Sequence, residues 1–513
     1  MMEFSRKEKK IINQAITLHL QGNLKEAEKY YEELISKGCN DHRIFSNYGA
    51  ILKDFGRLKE AELSTRRAIK LNPSYENAHS NLGIVLKSLG KLKEAELSPR
   101  RAIKLNPNHA NSHCNLGSIL KGLGKLKEAE LSTRRAIKLN PNYAMAHSNL
   151  GSILKDLGKL KEAELSTRRA IKLNPNLAIA YFSLSTLNLS QESKLFRKQL
   201  FSPNILNNQL EKEKVYIYFA RANFLHKESN FEESSKYLKL ANNLKYKLHP
   251  SNIKNLKNET KELFIESNID IETKKKHENF PESIFIVGMP RSGSTLIESI
   301  ISRNSNVDDL GEINILKESF LNWKKIEKKL TFAEFYLNNL NIYKSKLKTM
   351  TNKYLYNYQY VGIICKLIPN VKIIHSYRNP LDNILSIYRT NFDKGNQYSS
   401  SLVDSAKVYL DQEEVMTRYK NRFRSKIYDL NYDSLVCKPD KEIKSLISWL
   451  GWQWEDQYLS PHLNQRYVQT ASNVQVRSPI NSKSIGGWKN YKKLLKPAME
   501  IITLKDKYKS LKY

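Results

Sequence analysis

At 513 residues the chain exceeds one typical domain, and 40% hydrophobic residues suffice for more than one core. Its 85 Lys and Arg against 52 Asp and Glu give a formal charge of +33. That excludes an acidic solvating chain and suits anionic partners, although Lys, Asn and Ile are enriched throughout, as in a compositional drift.

The first residues, MMEFSRKEKKIINQ, are charged and hold no apolar run, so no signal peptide is expected. No later stretch reaches the ~20 apolar residues of a membrane-spanning helix. Cys39, Cys114, Cys365 and Cys437 are too far apart for a metal-type pair and too few for a disulfide framework. A soluble chain in a reducing compartment, the cytoplasm, is the expectation.

From about Glu8 the sequence repeats. Leu-Asn-Pro ends at Pro73, Pro107, Pro141 and Pro175, every 34 residues, and Gly22, Gly56, Gly90, Gly124 and Gly158 keep the same step. Within one unit, Ala78, Leu82 and Val85 mark a helix over 75–89, Gly90 permits a tight turn, and 92–105 form a second helix that Pro107 ends. The pattern resembles the tetratricopeptide repeat, two antiparallel helices per unit. Pro99 stands mid-helix where sister repeats have Thr65, Thr133 and Thr167, and an interior proline predicts a local kink. Asn47, Asn81, Asn115 and Asn149 recur in register. Such amides could form a ladder that grips a peptide backbone, as in the resembled inner groove of O-linked N-acetylglucosamine transferases, or be copied by recent duplication alone. The array is expected over 8–176, degenerate helical repeats over 177–250 (with a turn at Asn230-Phe231), and a polar linker over 251–280.

The chemistry-bearing residues follow. Ser283–Val287 reads as a buried strand, Gly288–Thr295 as a glycine-bearing loop, and Leu296–Ile301 as a helix. Strand, loop and helix N-terminus together cradle anions on backbone N–H groups. Gly288, Gly293 and Thr295 fit the nucleotide-triphosphatase pattern, but Ser294 takes its lysine position. The loop therefore suits a shorter anion, with Arg291 supplying positive charge. A second strand, Val371–His375, delivers Arg378 just past its end, followed by Pro380 and Ser386. That is where ligands collect in open α/β sheets.

The region from about Pro281 to Tyr491 resembles the sulfotransferase superfamily, most closely tyrosylprotein sulfotransferases and bacterial proteins that join tetratricopeptide repeats to that domain. The resemblance implies a three-layer α/β, P-loop-like domain over 281–513 that uses 3′-phosphoadenosine 5′-phosphosulfate and needs no metal. Arg291, Ser292, Gly293, Ser294 and Thr295 would then hold the 5′-phosphosulfate, Arg378 and Ser386 the 3′-phosphate, and Tyr432 would pack on the nucleotide. Glu312 would be the catalytic base, and Lys353 with Ser472 would stabilise the leaving group. Gly487 departs from the family, which often has a basic residue before the tryptophan, here Trp488. Lys483 or Lys489 could substitute.

The functional expectation is transfer of a sulfuryl group to an acceptor hydroxyl on a protein or peptide, tyrosine-type, bound by the repeats. Neither nucleic acid nor a membrane is an expected partner. Carbohydrate or small-molecule acceptors, a nucleoside-triphosphate kinase, and a repeat scaffold with an inactive domain are the alternatives. His375, His462, the repeat histidines His79, His113 and His147, and Trp449, Trp452 and Trp454 read as packing or surface residues.

Overall fold

The computed structural model describes residues 6–187, 194–207, 209–268, 280–325, 330–340, 348–392, 395–464, 466, 468, 470 and 472–512. The chain divides into two compact units, Met1–Leu210 and Glu211–Tyr513.

The first unit is helical. Its pairs are α1 (Arg6–Leu20) with α2 (Leu24–Ser36), α3 (His42–Asp54) with α4 (Leu58–Leu71), α5 (Glu76–Ser88) with α6 (Leu92–Leu105), α7 (Ala110–Gly122) with α8 (Leu126–Leu139), and α9 (Ala144–Asp156) with α10 (Leu160–Leu173). α11 (Ala178–Ser185) and α12 (Lys194–Phe201) follow. Small residues set the helix spacing: Ala61, Ala95, Ala129 and Ala163 are all fully buried. Helix α6 runs unbroken through Pro99. The proline ring seats against Gly83, where a Cβ would stand 2.8 Å from Pro99 Cδ. In the sister repeats Thr65, Thr133 and Thr167 fill this place and donate to the carbonyls of Ala61, Ala129 and Ala163.

The asparagines tie each repeat to the one before. Asn81 Nδ2 donates to Ser46 Oγ at 3.0 Å, Asn115 to Ser80 Oγ at 2.9 Å, and Asn149 contacts Cys114 Sγ at 3.2 Å. Asn47 hydrogen-bonds the Tyr31 side chain. The amide donors of the last three are thus engaged inside the array.

The second unit opens with a helical hairpin, α13 (Glu211–Lys227) and α14 (Phe231–Leu248), capped at its turn by Asn230. These helices, expected as degenerate repeats, pack within this unit. Asn242 donates to the Tyr388 carbonyl, and Tyr491 Oη donates to Ser234. Part of the expected linker is helix α15 (Ile253–Glu266), whose Leu263 is buried in the unit's core and whose Thr260 bonds Gln359. Residues 269–279 of that linker lie outside the described residues.

The sheet holds β1 (Glu282–Gly288), β2 (Val307–Asp309), β3 (Thr349–Asn352), β4 (Val371–Tyr377) and β5 (Ile427–Asn431), all parallel, in the order β2-β3-β1-β4-β5. Interleaved are α16 (Ser294–Ile301), α17 (Ile315–Trp323), α18 (Phe332–Leu340), α19 (Val361–Leu367), α20 (Pro380–Tyr388) and α21 (Leu402–Arg422). α22 (Tyr432–Cys437), α23 (Pro439–Leu450) and α24 (Lys492–Ile502) complete the unit. Strand β1 alternates between two cores. Phe285 and Val287 face Phe320, Ile364 and Tyr419, whereas Ile284 and Ile286 face Ile297, Ile300 and Leu446. Helices on both faces make three layers, and both cores require a sheet without a wet face. Among the described residues, no helix is long and apolar enough to cross a membrane.

His226 joins α13 to the C-terminal segment, 2.8 Å from Tyr491 Oη. Burial first, then the nearby Arg389 and Lys227 charges, pull its pKa down to about 3. Below the ordinary value near 6.5, the unfolded chain takes up a proton that the native state refuses, so stability falls as pH drops from about 6.5 toward 3. Urea midpoints at pH 7 and pH 5 are expected to differ more for the native sequence than for His226→Gln. Equal differences would mean that His226 does not carry this dependence.

Candidate active site

β1 and β4 are neighbours, so the loops leaving their C-terminal ends share one edge of the sheet. A Cβ at Gly288 would stand 2.2 Å from the Ser376 carbonyl oxygen, so only glycine lets the loop leave β1 here. Gly293, with φ +99°, precedes α16, and Tyr432 lies over it so closely that a Cβ would meet its ring at 2.2 Å. Ser376 Oγ donates to the Ser292 carbonyl at 2.7 Å, and Asn383 Nδ2 to that of Pro290 at 3.0 Å. The loop backbone is thus held from β4 and α20.

Arg291 has a left-handed backbone, φ +66°, a costly conformation for a long side chain. Its guanidinium is held three ways: Nε donates to Ser386 Oγ at 3.1 Å, Nη1 to Ser472 Oγ, and Nη2 to Gln475 Oε1 at 2.8 Å. Burial, then the charge of Arg378, pulls its pKa down to about 10. Two guanidiniums near enough to feel each other repel, and an anion between them relieves the repulsion. Thr295 Oγ1 lies 3.2 Å from Thr470 Oγ1, tying the loop to the C-terminal segment, of which Ala471 lies outside the described residues.

Arg378 is buried beneath the segment around Ser484. Its Nη2 donates to the Ser484 carbonyl at 2.9 Å, and its guanidinium stands 4.7 Å from the Tyr432 ring centre. Asp382 accepts from Gly486 N at 2.7 Å and Trp488 N at 2.9 Å, latching the Gly-Gly-Trp turn to α20. Ser386, expected to share a ligand phosphate with Arg378, accepts a hydrogen bond from Arg291. The reason is local. Ser386 sits about two helical turns beyond Arg378, on the side of α20 that meets the loop. Ser472, expected near the transferred group, likewise meets Arg291. Lys483 and Lys489 are exposed.

Two buried donors in this crevice have no hydrogen-bond partner among the described residues, Arg378 Nε and Ser292 Oγ. Buried donors are rarely left so. With the loop's backbone amides they fit a ligand carrying more than one anionic group.

The Lys353–Glu312 ion pair lies beside β3. Lys353 Nζ is fully buried and donates to Glu312 Oε1 at 2.7 Å, while the Glu312 side chain is 43% exposed. The Gly311 carbonyl accepts from Lys353 N at 2.8 Å. A second carboxylate, Glu298, stands 3.8 Å from Lys353 Nζ and is 1% exposed. Arg466 bridges Glu298, at 2.9 Å, and Asp309. Glu298, Arg466 and Asp309 escaped the sequence reading. The available signal was Glu298 itself, a lone carboxylate in the apolar run Leu296–Ile301, since a buried charge has to be paired. His375 is packed as expected, 2.8 Å from Asp429 and 2.9 Å from Gln412, with burial lowering its pKa.

Residues 324–456, which include Lys353, Arg378, Ser386 and Tyr432, match the family model described as "Sulfotransferase family". Residues 77–109, 100–130 and 146–177 match models of the tetratricopeptide repeat. The chain therefore joins tetratricopeptide repeats to a sulfotransferase-family domain. An uncharacterized protein of Aquifex aeolicus is 32% identical over 242 residues, covering 43% of this chain and 32% of that protein. A protein of Caenorhabditis briggsae, provisionally named a protein-tyrosine sulfotransferase, is 24% identical over 242 residues, 41% of this chain and 81% of its own length. A tetratricopeptide-repeat protein of Thermus thermophilus aligns with 33% of this chain and 92% of its own, at 20% identity and a TM-score of 0.31.

Removing one partner of a buried ion pair strands the other charge. Glu298→Gln is expected to destabilise the second unit by about 3–5 kcal/mol, read from urea denaturation. A loss below about 1 kcal/mol, the scale of an exposed pair, would show that Arg466 and Lys353 do not depend on it.

Proposed function

We propose that the protein transfers a sulfuryl group from 3′-phosphoadenosine 5′-phosphosulfate to a hydroxyl on a protein or peptide acceptor presented by the repeats. The observation that carries this reading is the pair of guanidiniums, Arg291 and Arg378, converging on a glycine loop that lacks the triphosphatase lysine. The family match supports the reaction class, and the name of the Caenorhabditis relative supports a tyrosine-type acceptor. Four widely spaced cysteines, all free thiols, support a reducing, cytoplasmic setting.

In this reading the backbone amides of 292–295 and the Arg291 guanidinium hold the 5′-phosphosulfate. Arg378 takes the 3′-phosphate with Nε, which makes no hydrogen bond and stands 3.8 Å from Asp433 Oδ1, and Tyr432 covers the base. Ser386 and Ser472 orient Arg291 rather than touch the phosphates first. When bound, the donor supplies the sulfuryl group and a stable bisphosphate leaving group. Glu312, half-exposed and next to Lys353, accepts the acceptor's hydroxyl proton on a carboxylate oxygen as that oxygen attacks. Protonation of Glu312 releases its hold on the Lys353 ammonium, which then offsets charge on the departing oxygen.

Calorimetry tests the donor. Adenosine 3′,5′-bisphosphate is expected to bind more tightly than magnesium-ATP, and Arg378→Ala to weaken it by ~1.5–3 kcal/mol, the scale of a charge-assisted bond. Adenosine 5′-phosphate, without the 3′ group, should bind the variant almost as before. ATP binding as tight as the bisphosphate would overturn the donor assignment.

Glutamine at 312 keeps the shape and removes the base. Glu312→Gln is expected to lower kcat by ~10²–10⁴ while bisphosphate affinity stays unchanged. The loss should shrink with more acidic phenols as acceptors. Retention of most activity would place the base elsewhere. Radiolabelled donor added to a cell lysate distinguishes the acceptor: label released by protease supports a polypeptide, and label released only by glycosidase refutes it.

A further inference from the structure

The repeats carry two rows of cations with different fates. One row is paired. Arg66, Arg100 and Arg134 each bridge a glutamate of their own helix and one of the next repeat, and Lys91, Lys125 and Lys159 complete the ladder. This row accounts for Glu62, Glu94, Glu96, Glu128, Glu130 and Glu162. The second row, which includes Lys70, Arg101, Lys104, Arg135, Lys138 and Arg169, is exposed, and among the described residues none of these has a carboxylate within 4.0 Å.

This second row flanks apolar surface. Leu63, Leu97, Leu131 and Leu165 are 70%, 67%, 70% and 69% exposed. Each lies on the second helix of its repeat, opposite the buried alanines by helical spacing. Between α8 and α10 lies a slot of about 490 Å³. Its floor is Ile137, Leu150 and Leu154, its ridge is Leu165, and Lys138 and Arg169 stand on its rim. The rim carboxylate, Glu162, is already held by Arg134 at 3.0 Å. Every residue lining the slot recurs unchanged 34 and 68 residues earlier, so the α6–α8 and α4–α6 junctions present the same set.

We propose that these junctions form a docking face for an acidic polypeptide segment bearing apolar side chains. The carboxylates would answer the unpaired cations and the apolar side chains would enter the slots, at a period set by the repeats. Three observations select this occupant. The uncompensated charge is positive at every junction, which disfavours a second copy of the same face. The floor residues Leu150 and Leu154 are 5% and 1% exposed, recessed behind the leucine ridge where a bilayer surface does not reach but a side chain does. No Tyr, Trp or Phe lines the slot, and its one ring, His147, is held on the Pro141 carbonyl at 3.0 Å, so nucleic-acid bases have no broad stacking platform. The face is distinct from the asparagine row on the first helices and does not depend on the catalytic reading.

The test is fluorescence anisotropy with the full chain and two synthetic peptides of equal length and charge, one alternating Glu with Leu, the other Glu with Ser. The Glu/Leu peptide is expected to bind at least about tenfold more tightly, and added salt should weaken both. Leu131→Ser with Leu165→Ser, which leaves the Leu97 ridge as the one intact slot of the three, should markedly reduce that preference. Arg135→Gln with Arg169→Gln should weaken both peptides about tenfold. All four positions are exposed, so the far-UV spectrum should not change. Equal affinity for the two peptides would overturn the proposal. So would binding that ignores both pairs of substitutions, or leucine-dependent sedimentation with phosphatidylserine-containing vesicles in place of peptide binding.

Discussion

In the second unit backbone packs on backbone where Gly288 meets the Ser376 carbonyl, with no room for a Cβ. Everything in the crevice follows from it. Because β1 and β4 pair in parallel and end together, their two exit loops bring Arg291 and Arg378 to one place. A bulkier residue at 288 would push the loop from β4, break the Ser376–Ser292 hydrogen bond and part the two guanidiniums. Gly293 repeats the logic under Tyr432. The glycines are there for proximity as well as for backbone freedom.

Charge burial is the second organising constraint. Lys353, Glu298 and Arg466 are nearly inaccessible, yet each faces an opposite charge. Removing charges from water is costly and is offset only when the partners are close and fully bonded. The cluster therefore fixes side-chain positions more than it adds stability. Lys353 stands between two carboxylates of unlike exposure. The buried one keeps its charge compensated, and the half-exposed one remains open to solvent.

The repeats show how duplication handles electrostatics. A unit that carries its own glutamates and arginines at the correct spacing automatically pairs with its copies, and the ladder extends as far as the copying does. Whatever is left unpaired in one unit is also multiplied. The unpaired lysines, arginines and leucines accumulate along one face for the same reason that the ladder does. Pro99 marks the tolerance of the scheme. An interior proline is accommodated because its ring occupies the space that threonine fills in the sister units, against a glycine of the neighbouring helix.

What the sequence by itself determined is whatever depends on neighbours along the chain. The 34-residue period, the helix pairs and their glycine turns, the strand–loop–helix around Gly288–Thr295 and the strand before Arg378 are local patterns of spacing and residue type. The sequence alone could not place side chains that meet across the fold. Ser386 and Ser472 turn to Arg291, Asp382 latches the Gly-Gly-Trp turn from about a hundred residues away, and Arg466 finds Glu298. The hairpin over 211–248 has repeat-like helices, but its buried faces match α20 and the C-terminal segment. Helix α15 has a polar composition, yet Leu263 and Thr260 place it in the core. Periodicity records which face of a helix is apolar. Only the assembled structure decides which surface that face meets, because that choice rests on shape and charge drawn from distant parts of the chain.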